Sequence, residues 1–286
     1  MKSKTPKTVL VTGCSTGLGF TIALSFARQG WLTFASMRNL NCEGSQSLLS
    51  IAKKEKLLLK TVQLDVTKQS SIDAAINEIL KTSGKIDVLV NNAGVGYYGP
   101  IESFSDDEVY EQFNTNVFGV LRLIRSVTVP MRRRKSGLVI NISAGIANFT
   151  VPFCGLYSST KTTLESLTET LRYELAPSGI HVSLVVPGAY STNFTSNIHR
   201  PATLLVEYKT RYQKFIENYY QYRQKISNSF IGKLSQPDDV SRAVLKCATS
   251  AKPKMRYFVG FDSIFYFILR RITPFSWWEF FVSRLN

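Results

Sequence analysis

Short apolar runs alternate with amphipathic stretches along the first two thirds of the chain. In the amphipathic stretches, apolar residues recur every three or four positions, which is the period of a helix with one buried face. The apolar runs lie at 8–12, 32–37, 60–64, 86–90, 137–142 and 181–186. Strands that alternate with helices at this spacing form a parallel sheet with helices on both faces. The pattern therefore predicts an α/β fold built on a doubly wound parallel sheet.

Composition and cysteine usage predict one domain in a reducing compartment. No internal repeat or low-complexity linker interrupts the 286 residues, so we expect a single domain. The four cysteines are scattered, which indicates reduced thiols rather than disulfides or a metal site. The first residues lack the apolar region of a signal peptide, and the apolar run 264–269 is too short to span a bilayer. These features predict a cytoplasmic protein.

A glycine-rich turn follows the first strand and precedes a helix. It reads Gly-Cys-Ser-Thr-Gly-Leu-Gly over residues 13–19, and Ile22 and Phe26 begin the apolar face of the helix. Such a turn lets the backbone approach a pyrophosphate, whose charge is stabilised by the helix N-terminus. The Gly-x-x-x-Gly-x-Gly spacing differs from the usual Gly-x-Gly-x-x-Gly, so a purely structural turn is the alternative.

The end of the second strand indicates which dinucleotide is bound. In this kind of fold an acidic residue there would hydrogen-bond the adenosine ribose, but no Asp or Glu lies between Trp31 and Cys42. Arg38, with the hydroxyls of Ser15 and Thr16, suits a 2′-phosphate instead. The sequence therefore favours NADP, with NAD as the alternative. After the third strand, Asp65 could accept a hydrogen bond from the adenine amino group.

Tyr157 and Lys161 are four residues apart in a predicted helix, so they lie on the same face, one turn apart. A nearby ammonium lowers the pKa of a phenol. A tyrosine tuned in this way can exchange a proton with an alcohol oxygen near neutral pH. The alternative is a solvated helix pair without chemistry.

The net charge of +15 is concentrated in the last third of the chain. This distribution indicates an anionic partner, such as a phosphorylated ligand or an acidic lipid surface, or else a solvated basic face. A basic run at 132–135 follows a helix that we expect to begin at the Ser105 capping box and to end at Pro130. Because no recognition motif accompanies the run, we expect no nucleic-acid partner.

Five motifs occur in the order typical of the short-chain dehydrogenase/reductase family, which the chain resembles over roughly residues 7–192. The motifs are Thr12-Gly13-x-x-x-Gly17-x-Gly19, Asn91-Asn92-Ala93-Gly94, Asn116, Tyr157-x-x-x-Lys161 and Pro187-Gly188. The segment 9–26, with residues 37–40, is most similar to the hydroxysteroid and retinol dehydrogenase subgroup. The resemblance implies a Rossmann-like enzyme that transfers hydride between NAD(P) and an alcohol or ketone.

The resemblance also implies roles for individual residues. Tyr157 would be the general acid/base, Lys161 would lower its pKa and hold the nicotinamide ribose, Asn116 would support a proton-relay water, and Thr192 would hold the carboxamide. The expected cofactor contacts are Gly13, Ser15, Thr16, Gly17, Leu18, Gly19, Arg38, Asp65, Val66, Asn92, Ala93, Gly94, Tyr157, Lys161, Pro187, Gly188 and Thr192. Family members commonly form homodimers or homotetramers through the helices that begin near Asp106 and Tyr157.

One position departs from the family pattern. The catalytic serine of the family usually lies 13 residues before the tyrosine, and Ala144 occupies that position here. Either the turn shifts by one residue and Ser143 polarises the substrate carbonyl, or that hydrogen bond is missing. We expect Ser143 to take the role.

The resemblance implies that residues 193–235 cover the substrate, and residues 261–286 are predicted to form an amphipathic aromatic tail. Aromatic residues recur on one helix face at Tyr208, Tyr212, Phe215, Tyr219 and Tyr222. They would line a pocket for an apolar alcohol or ketone, such as a steroid, retinoid or lipid, or simply pack the helix. A second stripe is formed by Phe275, Trp278, Val282 and Leu285, which would cap the site, form a dimer contact or lie in a membrane interface.

Two functions compete at this stage. The motif set favours an NADP-dependent oxidoreductase with Tyr157 as general acid/base. Ala144 keeps open a non-catalytic or weakly active nucleotide-binding sensor or scaffold, placed at an anionic membrane surface by its tail.

Overall fold

Parallel strands form the centre of the computed structural model, which describes residues 5–188, 198–199, 201, 217, 221 and 236–283. The seven-stranded sheet has the order β3-β2-β1-β4-β6-β7-β9. Its strands are β1 (Thr8–Thr12), β2 (Leu32–Met37), β3 (Leu59–Gln63), β4 (Val88–Asn91), β6 (Gly137–Ile142), β7 (Ile180–Pro187) and β9 (Arg256–Val259). The two short strands β5 (Gly96–Tyr97) and β8 (Ile198–His199) pair separately. The predicted doubly wound parallel sheet is confirmed.

Helices cover both faces of this sheet. They are α1 (Gly17–Arg28), α2 (Glu43–Glu55), α3 (Gln69–Ser83), α4 (Asp106–Phe113), α5 (Gly119–Arg134), α6 (Gly155–Leu175), α7 (Pro237–Thr249), α8 (Phe261–Ile272) and α9 (Phe275–Ser283). One apolar core lies under α1, α2 and α7, and a second lies under α3, α5 and α6. Because both sheet faces are covered, the central strands are apolar on both sides; all five residues of β1 are buried.

The strand order reverses beside β1, which pairs with β2 on one side and with β4 on the other. In an open α/β sheet, ligands bind outside the carboxyl ends of the strands at such a point. The turns after β1, β4, β6 and β7 all leave the sheet at this edge, because the paired strands run parallel. The fold therefore brings together the motifs that lie far apart in the sequence.

The helix predicted from Ser105 to Pro130 is divided differently in the structure. The Ser105 capping box is present, with Glu108 as its partner. A π-helical turn, Asn114–Phe118, then separates α4 from α5, and α5 continues through Pro130 to a left-handed Lys135. The prediction that Pro130 ends the helix was wrong. The three arginines of the basic run accordingly lie in the last helical turn, where cations stabilise the carbonyl end of the helix dipole.

Helix α3 begins at Gln69, after Lys68, so neither Ser70 nor Ser71 is its N-cap. Ser71 has another role, because its hydroxyl accepts a hydrogen bond from the backbone N–H of Asp65 at 3.0 Å.

The tail forms α8 and α9. The residues of its predicted apolar stripe do not all lie on the same face of the helix. Trp278 is buried, whereas Phe275 is exposed. The side chain of Val282, and Leu285 altogether, lie outside the described residues. Within the described part of the chain, no helix combines the length and the apolar character needed to cross a bilayer. None of the four cysteines forms a disulfide.

Candidate active site

The glycine turn after β1 can accept a phosphate group closely. Gly13 has a φ of 71°, and a Cβ there would lie 2.8 Å from the Cα of Ala93. A Cβ on Gly19 would clash with the carbonyl oxygen of Gly13. At Gly17, where α1 begins, φ is 60° and a Cβ would meet nothing within 4 Å. The backbone is therefore tightly packed behind the turn and open in front of it, which fits a pyrophosphate at the N-terminus of α1.

Helix α2 supports this turn from the side. A Cβ on Gly44, in the first turn of α2, would overlap the carbonyl oxygen of Ser15. Next to Ser15, Thr16 is exposed and precedes α1 without using its side chain as a cap. The close contact at Gly44 therefore fixes the backbone of Ser15, while the hydroxyl of Thr16 remains available to a ligand.

The Asn91-Asn92-Ala93-Gly94 turn is tied to β1 through Thr12. The hydroxyl of Thr12 accepts hydrogen bonds from the backbone N–H groups of Asn92 and Ala93 at 3.0 and 3.1 Å. The side-chain amide of Asn92 donates to the carbonyl oxygen of Thr12 at 2.9 Å. These bonds hold the turn after β4 against the glycine turn, so both predicted cofactor segments belong to one surface.

Arg38 and Asp65 lie at the ends of neighbouring strands, as predicted. Arg38 is exposed just beyond β2, close enough to Asp65 to act on its carboxylate. Burial raises the pKa of Asp65, but hydrogen bonds from Thr67 and the charges of Lys68 and Arg38 outweigh burial, so the pKa is lowered. At neutral pH this edge therefore carries an exposed cation beside a fixed carboxylate. Both side chains lie where the adenosine end of a dinucleotide is predicted to bind.

Asn116 lies in the π-helical turn, a distortion that often occurs at functional sites. Its side-chain oxygen accepts from the N–H of Val95 at 2.9 Å, and its amide donates to the carbonyl of Val95 at 2.8 Å. The same amide donates to the hydroxyl of Thr160 in α6 at 3.1 Å. Asn116 therefore joins the turn after β4 to the helix that carries Tyr157. The relay water predicted for Asn116 stays a prediction.

Tyr157 and Lys161 are both buried on one face of α6. The Nζ of Lys161 lies 5.7 Å from the centre of the Tyr157 ring and donates to the carbonyl of Ile142 at 2.9 Å. Burial lowers the pKa of Lys161 to about 8, although the charge of Glu165 partly opposes this shift. At neutral pH the ammonium is therefore still protonated next to the phenol.

The pKa of Tyr157 differs from the prediction. Burial, together with the neighbouring Cys154, raises the pKa of the Tyr157 phenol instead of lowering it. The reason is that the buried phenolate loses hydration, and in this chain alone the ammonium of Lys161 does not outweigh that cost. The phenol is therefore a proton donor at neutral pH in the protein without bound cofactor.

Ser143 does not take the position predicted for it. Its hydroxyl donates to the buried carboxylate of Glu165 at 2.8 Å, and Arg256 contacts the other oxygen of Glu165 at 3.3 Å. A hydroxyl has one proton, so this arrangement leaves none for a substrate carbonyl. Ala144 instead packs against the cluster that contains Tyr157. In the structure Ser143 is therefore bonded to Glu165, and its role at a substrate carbonyl stays a prediction.

The end of β7 brings the tail next to residues 143–145 after β6, which we call the catalytic turn because the family resemblance places the catalytic serine there. A Cβ on Gly188 would overlap the carboxylate of Asp262, and the hydroxyl of Ser263 donates to the carbonyl of Val186 at 2.8 Å. Sequence reasoning missed both tail residues, although their position directly after β9 places them at the ligand edge of the sheet. Thr192 and the five-residue aromatic stripe lie outside the described residues.

Two further residues of the site were missed. Tyr98 lies with its ring 5.4 Å from that of Tyr157. Glu165 follows Lys161 by four residues, a spacing that places it on the same helix face and could have identified it. Tyr98 had no such signal, because its approach to Tyr157 depends on how the turn after β4 packs on α6.

Comparison with known proteins identifies the family. The family model described as short chain dehydrogenase matches residues 7–202. Retinol dehydrogenase 8 of Bos taurus is 33% identical over 257 residues, which cover 88% of this chain and 80% of that protein. Human 17-beta-hydroxysteroid dehydrogenase type 1 is 32% identical over 255 residues, which cover 87% of this chain and 76% of that protein.

A solved structure with a similar fold belongs to the same family as the match of the family model. A short-chain dehydrogenase from Streptomyces avermitilis has a TM-score of 0.80 at 30% identity, covering 99% of this chain and 98% of that chain. The chain belongs to the short-chain dehydrogenase/reductase family. Within this family of oxidoreductases it resembles the hydroxysteroid and retinol dehydrogenases. Solved members of the family bind NADH or NADPH.

Proposed function

We propose that this chain is an NADP-dependent oxidoreductase that interconverts an apolar alcohol and its ketone. The observation that carries the proposal is the Tyr157–Lys161 pair, buried at the same sheet edge as the open glycine turn. A buried ammonium beside a buried phenol is costly to fold, and such pairs are typical of sites that move a proton. The bound cofactor would supply hydride in the reduction and accept it in the oxidation.

The chain's own residues handle the proton. In the reduction, Tyr157 donates its hydroxyl proton to the substrate oxygen as the carbonyl carbon gains the hydride; in the oxidation it takes that proton back. Lys161, whose pKa is about 8, is protonated at neutral pH and stabilises the phenolate left by the donation. The carbonyl of Ile142 holds the ammonium in place.

The preference for NADP rests on the edge formed by β2. Arg38 is exposed there. On the adjoining turn Thr16 is also exposed, and its hydroxyl makes no capping hydrogen bond to α1. A guanidinium and a hydroxyl can both donate hydrogen bonds to the 2′-phosphate of NADP. The 2′-hydroxyl of NAD carries no charge and does not require such donors.

Replacing Arg38 tests this preference. Arg38→Ala should weaken NADPH binding by about 10- to 100-fold, because charged hydrogen bonds of this kind contribute about 1.5–3 kcal/mol. Binding of NADH, which has no 2′-phosphate, should change little and is the internal control. Titration of both cofactors by fluorescence measures the two constants. Equal losses for NADPH and NADH would contradict a 2′-phosphate contact.

An apolar substrate suits the surroundings of Tyr157. The cluster around its ring consists of Tyr98 and Cys154 with the apolar side chains Ala144, Ile146, Val151 and Phe153. Burial among such groups disfavours a small polar ligand, which would lose its hydration there. The names of the two relatives, a retinol and a hydroxysteroid dehydrogenase, agree with a steroid, retinoid or lipid-like substrate.

Tyr157→Phe tests the reaction itself. The variant should lose about 10²- to 10⁴-fold in turnover of retinoid and steroid substrates, because the general acid is absent, while NADPH binding is retained. Tyr173→Phe, an exposed tyrosine on the same helix, is the matched control and should keep full turnover. Wild-type turnover that survives Tyr157→Phe would overturn the proposed mechanism.

The second candidate is a nucleotide-binding sensor or scaffold, which the arrangement of Ser143 and Ala144 favours. A wild-type protein that binds NADPH but turns over no alcohol or ketone would support it. The homodimer or homotetramer and the cytoplasmic location remain predictions.

A further inference from the structure

The outer surface of the tail helices is apolar. In α8, Phe261, Ile264, Phe265, Ile268 and Ile272 lie at helical spacing on one face, and in α9 Phe275, Trp277 and Phe280 are similarly turned outward. Their exposed fractions lie between 42% and 72%. We call these eight residues the apolar tail face. A surface helix of a globular protein normally turns such a stripe toward the core. A contiguous exposed patch of this kind marks an interaction site.

The opposite side of the same helices is anchored to the rest of the domain. The ring of Tyr266 lies 4.6 Å from that of Phe149, and the ring of Trp278 lies 6.0 Å from it. The hydroxyl of Ser263 is bonded to Val186 at the end of β7. The apolar tail face is therefore held outward by specific packing on its inner side, rather than left outward by a lack of contacts.

Cations border the apolar tail face. The guanidinium of Arg270 lies 5.6 Å from the ring of Phe275, and that of Arg271 lies 4.1 Å from the ring of Phe267. Both arginines belong to the last turn of α8. Apolar and aromatic side chains bordered by arginine are typical of helices that lie in the interface of a bilayer.

The charge of the molecule distinguishes between occupants of this face. The chain carries a formal net charge of +15. Two copies of the chain repel each other through their net charges, whereas an acidic lipid surface attracts the chain, by about 1 kcal/mol for each basic residue near the surface. We propose that the apolar tail face docks on the surface of an anionic lipid bilayer, with α8 and α9 lying in its interface.

Docking would place the catalytic turn next to the lipid. Phe149, which contacts the inner side of the tail, lies between Ser143 and Tyr157 in the loop after β6. Ser263 lies against Gly145 of the same loop, since a Cβ on Gly145 would be 3.7 Å from the Cα of Ser263. An apolar alcohol or ketone dissolved in the bilayer could then reach the site without crossing water. This last step rests on the proposed function; the docking itself does not.

Vesicle co-sedimentation of the full chain tests the docking. The probes are vesicles of phosphatidylcholine alone and vesicles of phosphatidylcholine with phosphatidylserine. The wild type should pellet with the phosphatidylserine vesicles, less with the neutral ones, and less at raised salt. The double variant Phe265→Glu, Ile268→Glu should bind at least about tenfold more weakly, because two apolar side chains that docking would bury are replaced by charges that the anionic surface repels.

Matched variants make the result specific. Leu49→Glu with Leu58→Glu changes two similarly exposed leucines far from the tail in sequence, and should pellet like the wild type. Tyr157→Phe should also pellet like the wild type, which separates docking from the proposed reaction. Equal pelleting of the wild type and the tail variant would overturn the proposal. So would a wild type that ignores vesicles but whose dimer, measured by light scattering, is split by the tail variant.

Discussion

The hydroxyl of Ser143 points into the protein, where it donates to the buried Glu165. Glu165 is also held by Arg256 and by the side-chain amide of Asn148. This network ties the catalytic turn to α6 and to β9. Next to it, Ala144 faces the cluster around Tyr157 and brings no polar group. Ser143 therefore makes a structural hydrogen bond, while its neighbour Ala144 lies on the side of Tyr157, where a catalytic hydrogen bond would be made.

Ala144→Ser should add the missing donor. A preorganised hydrogen bond to a developing oxyanion contributes about 10²-fold or more to turnover in other enzymes, so kcat should rise by up to about that factor. Ser143→Ala, the matched change next to it, should instead lower the free energy of unfolding by about 1–2 kcal/mol, because Glu165 loses a buried partner. Steady-state kinetics and urea unfolding distinguish the two. A Ser143→Ala variant of normal stability but without turnover would show that Ser143 is the donor.

For single residues, the sequence predicts where a side chain lies on its helix better than it predicts how far that side chain is buried. The spacing of Tyr157 and Lys161 suffices to place both on one face of a helix, and the structure agrees. The direction of the pKa shift of Tyr157 could not be predicted, because it depends on burial by groups that lie far away in the sequence, Tyr98 among them. Desolvation is a property of tertiary packing and leaves no local signal.

At the scale of elements, a capping box was easier to predict than the interior of the helix that follows it. The capping box at Ser105 is a local signal, and it holds. The π-helical turn at Asn114–Phe118 has no such signal. It is stabilised by hydrogen bonds between the side chain of Asn116 and two residues far away in the sequence, Val95 and Thr160. Pro130 was misread because a proline tolerated inside a packed helix looks, in sequence, like one that ends it.

The tail shows the same limit. The apolar period of residues 261–283 is visible in the sequence, but the period does not say which face turns toward the domain. Packing on Phe149 decides this, and it buries Trp278 while Phe275 remains exposed. An amphipathic pattern therefore predicts a helix, while the position of its apolar face depends on contacts made elsewhere.

For the molecule as a whole, the sheet and its ligand edge could be predicted from the alternation of strands and helices. The last strand could not be paired from sequence alone: β9 returns next to β7 after a long intervening segment. Its position is what brings Asp262 and the rest of the tail to the catalytic turn. Such a long-range contact is chosen by the sum of the packing around β7, and no short motif encodes it.

The buried Lys161 should make the stability of the whole protein depend on pH. Its pKa is about 8 in the folded chain, against an ordinary value of 10.5. Between these values the unfolded chain holds a proton that the folded chain lacks, so stability rises with pH. The contribution is about 1.4 kcal/mol for each pH unit within this window. Below pH 8 both states are protonated, and the cost of burying the charge is present in full.

Lys161→Met isolates this contribution. The free energy of unfolding of the wild type, measured relative to the variant, should rise by about 1–2 kcal/mol between pH 8 and pH 9.5. Burial raises the pKa values of Cys14 and Cys247, so both thiols stabilise the folded protein less as the pH rises over the same range. This effect is the same in the wild type and the variant and cancels in the difference. Urea unfolding followed by tryptophan fluorescence measures it. A difference that stays flat or falls with pH would mean that burial does not lower the pKa of Lys161.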